Sequence, residues 1–122
     1  RSNTPLQALN ISNDPAFIEF AQGLALRTIQ KIPGEADKTL DERIRLAFKL
    51  ALSRAPTDRE FKTLINYAIE FAKDISTKDG GEDTKSLISE AIIKSGIPLN
   101  QGAALVAASR AILNTDNFIT RE

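Results

Sequence analysis

The chain has 122 residues, 42% of them hydrophobic and 26% charged, which fits one folded domain large enough to bury a core without disulfide or metal staples. Lys+Arg 16 and Asp+Glu 16 give a formal net charge of +0, against the basic excess that nucleic-acid binding requires. With Cys 0 and His 0, thiol catalysis, a Ser-His triad, covalent c-type haem attachment, Cys/His zinc sites and a histidine pH switch are excluded within this chain, and only carboxylates, Lys, Tyr and hydroxyls remain for proton chemistry.

The elements read in order as helices. Thr4-Pro5 gives a cap followed by Pro at the first helical position, and predicts a short helix over Pro5 to Ile11. Asp14-Pro15 repeats the signal for a longer helix to about Lys31, where Phe17, Phe20, Ala21, Leu24, Ala25 and Thr28 fall at helical spacing. Pro33-Gly34 ends it. Thr39 with Glu42 fits a capping box for a helix to about Ser53, with Ile44, Ala47, Phe48 and Ala51 on one stripe and Leu46 and Leu50 on a second. Thr57 with Glu60 is another capping box, and its helix to about Ser76 has the cleanest apolar stripe, from Phe61 to Ile75. Only Arg54-Ala55-Pro56 separates the two, which predicts an αα-hairpin of Leu40–Ser53 and Asp58–Ser76 at the centre of the fold. A polar loop follows at Lys78 to Asp83, then a short helix over Thr84 to Ser95 closed by Gly96 and Pro98. An Ala-rich helix over Asn100 to Leu113 is expected to stop at Asn114 to Asn117, with Phe118 and Ile119 folding back on the core. The expected fold is all-α, a compact irregular or orthogonal bundle of about six helices in a single domain over residues 1–122. No apolar run approaches the roughly 20 residues of a membrane span.

Three segments carry a resemblance. They are Arg1-Ser2-Asn3-Thr4-Pro5-Leu6-Gln7-Ala8-Leu9-Asn10 continuing to Pro15, the run Ala47 to Thr57 around Leu52-Ser53-Arg54-Ala55-Pro56, and Ile112 to Arg121 around Asn114-Thr115-Asp116-Asn117-Phe118. In this order they resemble the end of the planctomycete PSD-one family, domain of unknown function 1553. The resemblance implies the C-terminal piece of a large exported bacterial protein of the periplasm or cell envelope, with a cytochrome-c-like module often upstream. It implies no established activity. Two positions depart from the family pattern: Ser53 stands where Gly is usual, and Asn117 where Glu is usual.

Candidate sites follow from these motifs. Arg1, Gln7, Asn10, Asn13 and Asp14 form a polar edge that would face upstream domains of the same polypeptide or another protein; the competing role is local capping. Thr39, Glu42, Thr57 and Glu60 read as structural caps, and Arg54 as a helix-end residue paired with a carboxylate such as Asp58. Arg110, the one charge in the Ala-rich helix, reads as a packed stem with a paired head. The acid pairs Asp41/Glu42, Asp58/Glu60 and Glu82/Asp83 do not make a glycosidase without aromatic platforms for sugar, and Asp79, Glu82 and Asp83 lack the ligand alternation of an EF-hand loop. The leading expectation is a non-catalytic docking or partner-binding domain. The alternatives are an accessory part of a redox or polysaccharide-degrading enzyme whose catalytic residues lie upstream, and a free-standing binding module for a sugar or an anion. No cofactor, metal, nucleic acid or membrane insertion is expected of this chain. Elemental analysis of the purified chain should therefore find no stoichiometric transition metal; a bound one would contradict the reading.

Overall fold

The computed structural model describes residues 15–78 and 87–121, with side chains described to residue 75 in the first stretch and to 114 in the second. Within them lie five helices: α1 Pro15–Lys31, α2 Ala36–Leu52, α3 Asp58–Lys78, α4 Glu90–Lys94 and α5 Leu99–Arg121. The expected all-α bundle is what the chain forms. The expected helix over Pro5 to Ile11 and the acids Asp79, Glu82 and Asp83 fall outside the described residues.

α1 buries Ala21, Ala25, Thr28 and Ile29, the i, i+4, i+7, i+8 rows of one helical face. Thr28 is wholly buried, and its hydroxyl is satisfied by donating to the Ala25 carbonyl at 2.7 Å. The helix stops at Pro33-Gly34, where Gly34 takes φ 133 and the chain turns into α2. α2 buries Ile44, Ala47 and Phe48 as the first stripe predicts. The second stripe does not bury in the same way: Leu46 is half-buried and Leu50 is exposed. α3 turns Leu64, Ala68 and Ala72 fully inward, with Phe61, Ile65, Phe71 and Ile75 packed beside them.

The hairpin of α2 and α3 is present, and α5 packs on both of its members and on α1. α5 is the central element. From Gly102 through Ser109 every residue is buried, as are Ala111 and Ile112. A helix apolar on all sides must be surrounded, and the small side chains set how near its neighbours come. A Cβ at Gly102 would lie 3.0 Å from Ile92 Cγ2 and 3.2 Å from Ile97 Cγ2, so α4 and the turn after it rest on bare backbone there.

Two boundaries differ from the sequence expectation. α5 continues to Arg121 and does not break at Asn114 to Asn117: Asn and Asp have only modestly lower helix propensity, and no Gly or Pro interrupts the run. The helix expected over Thr84 to Ser95 is interrupted at Ser89, which is extended (φ -87, ψ 164) and accepts from the Ile92 N–H at 3.3 Å, starting α4 afresh.

Ala108→Leu should cost about 1–3 kcal/mol, because a wholly surrounded position has no room for three more carbons. Chemical denaturation checks this; an unchanged midpoint would mean that α5 is not tightly enclosed.

Candidate functional site

The α2–α3 turn holds the densest network of polar side chains among the described residues. α2 ends at Ser53, which sits in the left-handed region (φ 63, ψ 26) and donates its N–H to the Lys49 carbonyl at 2.8 Å. A Cβ in that conformation costs energy. The five residues from Ser53 to Thr57 carry the chain to α3. Thr57 and Glu60 form the expected capping box: Thr57 Oγ1 accepts from the Glu60 N–H at 3.1 Å, and Glu60 Oε1 accepts from the Thr57 N–H at 2.8 Å.

Arg54 closes the network. Its Nη1 and Nη2 donate to Glu60 Oε1 and Oε2, each at 3.0 Å, and Nη1 also reaches the Ala55 carbonyl at 3.2 Å. The carboxylate partner is therefore Glu60 and not Asp58. A carboxylate already fixed by the capping box presents both oxygens to the guanidinium fork, whereas Asp58 is exposed at the first position of α3. The guanidinium carbon also lies 4.9 Å from the centroid of Phe48, a core ring, and Arg45 lies 3.8 Å over Phe61, so cation–π contacts clasp the hairpin twice. The Arg54 hydrogen bonds hold the Glu60 carboxyl below the ordinary carboxylate value, against burial and with help from Thr57. Glu60 in turn raises the Arg54 guanidinium above its ordinary value. The network does structural work: its bonds run between groups of the turn itself.

The second capping box is absent. α2 begins at Ala36 with Glu35 as its cap, so Thr39 lies inside the helix, buried, and donates to the Glu35 carbonyl at 2.9 Å. Glu42 is exposed and makes no cap. The reason is Arg43, which the motif reading did not single out. It is 3% exposed, and its Nε and Nη2 donate to the Ile32 carbonyl at 3.0 and 2.7 Å, with Gly34 at 3.4 Å. Bonding the carbonyls where α1 ends pulls the start of α2 tightly under the Pro33-Gly34 turn. Burial pushes the Arg43 pKa down. A signal was available: Arg43 is three residues after Leu40 and four before Ala47, on the apolar stripe itself.

Beside Arg43 runs a groove of about 600 Å³ between the α1–α2 turn and the α4–α5 turn. A second hollow of about 410 Å³ adjoins it, sharing Asp37, Asn100 and Gln101. Arg110 lies near Tyr67, whose pKa is raised by burial and lowered in part by that charge. Arg110 Nε is buried and finds no hydrogen-bond partner among the described residues, so the paired head expected for it is not seen at that atom. Arg1, Gln7, Asn10, Asn13 and Asp14 lie outside the described residues.

A sequence model of PSD1, protein of unknown function (DUF1553), matches residues 1–68, more than half of the chain. The chain belongs to the PSD1 family. The matched stretch takes in α1, α2, the Arg54–Thr57–Glu60 turn and the first half of α3, and leaves α5 outside. No curated protein and no solved structure matches the chain. Among the described residues no group of three or more Asp and Glu is placed to hold a metal ion, and no helix is long and apolar enough to cross a membrane.

Two outcomes test the turn. Ser53→Gly should stabilise by about 0.5–1 kcal/mol, relief of the left-handed strain exceeding the entropy glycine adds to the unfolded chain; a loss on chemical denaturation would contradict the conformation. Glu60 has a folded pKa below its unfolded value of about 4.3. Its contribution is present above that value and is lost as pH falls through the folded pKa. Glu60→Gln should therefore destabilise at pH 7 and lose that penalty as the pH falls through the lowered folded pKa; a penalty independent of pH would show that the charge of Glu60 is not what matters.

Proposed function

We propose that this PSD1 chain is a non-catalytic helical domain that docks other domains of a large envelope or secreted bacterial protein. The observation that carries the reading is Phe20. It is 72% exposed on α1, inside the stretch matched by the family, and half-buried Phe17 lies one turn before it on the same side. The conspicuous polar side chains of that stretch, Arg43, Arg54, Thr57 and Glu60, all bond to groups of the chain itself. Phe20 does not serve the fold in this way. Covering a phenylalanine ring contributes about 1.5–3 kcal/mol, which suits an aromatic ledge meeting an apolar patch on a neighbouring domain. Gln7 and Asn10, just upstream of α1, would supply the polar rim of that contact.

Phe20→Ser should change the stability of the isolated chain by no more than about 0.5 kcal/mol. In the intact protein it should speed hydrogen exchange of α1 amides and of the surface that covers them, and Gln7→Ala with Asn10→Ala should weaken the same protection. Unchanged inter-domain protection with both sets of substitutions would reject docking through this end of the chain.

A further inference from the structure

Phe20 shares the exposed face of α1 with Glu19, Gly23 and Arg27. Phe20, Gly23 and Arg27 follow one another at i, i+3 and i+7, on one side of the helix. Gly23 stands in the middle of this 17-residue helix, and a Cβ built there would meet no atom within 4 Å. Glycine inside a helix lowers its stability relative to alanine, so the described structure gains nothing from the missing side chain. A second helix crossing closely at that point would gain from it. Neither Glu19 nor Arg27 forms an ion pair among the described residues.

This face is complementary to itself. Turned end for end about a two-fold axis between residues 23 and 24, α1 sets residue 20 level with residue 27 of a second copy, each about 5 Å from the axis along the helix. Phe20 then meets the partner's Arg27 in a cation–π contact, and Glu19, one residue before Phe20, comes within reach of the same guanidinium. The symmetry repeats both contacts in the other direction. The two glycines lie side by side at the axis, where the backbones approach. A parallel pairing would set Arg27 against the partner's Arg27, like charge on like charge.

We propose that a second copy of this chain covers Phe20, α1 packing antiparallel on α1 around Gly23. This rests on the reading of Phe20 as a docking residue and names what docks there. One helix face from each copy falls below the roughly 1,200 Å² of a standard interface, so the association is weak. Sedimentation velocity of the 122-residue chain should show monomer at about 10 μM passing to dimer near 1 mM, with a Kd on the order of 0.1 mM. Gly23→Gln, which meets no atom of its own fold, should leave circular dichroism unchanged and weaken association at least about 10-fold. Glu19→Arg and Arg27→Glu should each weaken it about 10-fold or more by setting like charges together, and an equimolar mixture of the two should associate again, because a pair of unlike copies restores both contacts. A chain monomeric to about 1 mM, a Gly23→Gln variant as associated as the native chain, or a mixture no tighter than its components would overturn self-pairing. If Phe20→Ser still speeds inter-domain exchange in the intact protein while the chain stays monomeric, docking stands with a different partner; if it does not, both readings fall.

Discussion

Alanine and glycine along α5 set the distance at which α1, α2 and α3 can pack. A helix enclosed on all sides has no face along which a long side chain can reach solvent, so its neighbours must close on small ones. Ala103, Ala104, Ala108 and Ala111 lie in one buried cluster with larger residues of the surrounding helices, among them Phe48 and Ile44 from α2 and Leu64 from α3. The arrangement trades the area of large side chains for closeness, and the dispersion contacts of closely approaching helices offset part of the difference. It also makes the fold intolerant of volume where it is most enclosed.

The polar residues are placed to serve that enclosure. Arg43 holds the end of α1 to the start of α2, and Arg54 with Thr57 and Glu60 holds the end of α2 to the start of α3. Each serves a helix terminus, where backbone groups would otherwise go without partners. The pair Arg54–Glu60 is part-exposed and modest on its own. Its value is geometric: the cap fixes Glu60, Glu60 fixes Arg54, and Arg54 lies over Phe48, so the turn is tied to the core.

The sequence was most legible where periodicity was strong and termini were marked. The stripe from Phe61 to Ile75 and the Thr57–Glu60 box announced α3 and its first residue. It was misleading where a motif competed with tertiary contacts. Thr39 and Glu42 have the spacing of a capping box, but Arg43, one residue on, bonds the Ile32 carbonyl and carries the helix start back to Ala36. Local spacing cannot report a bond to a carbonyl eleven residues away. The centre of the core was misplaced for a related reason. Amphipathic contrast is loudest in a helix with one wet face, such as α3, and faint in α5, which has almost none. Asn114 to Asn117 imitate a helix end because Asn and Asp favour turns, yet α5 runs through them. Of the candidate sites, the caps could be read locally, whereas the groove joins two turns about 60 residues apart in sequence.

α5 is the element around which the others close, and native-state hydrogen exchange measures that directly. Amides from Ala103 to Ile112 should be the slowest in the chain, exchanging only through global unfolding, with those of α1, α2 and α3 that face α5 close behind. Amides of α2 and α3 outlasting those of α5, with α5 exchanging through a separate lower-energy opening, would show that the hairpin carries the fold and contradict the account.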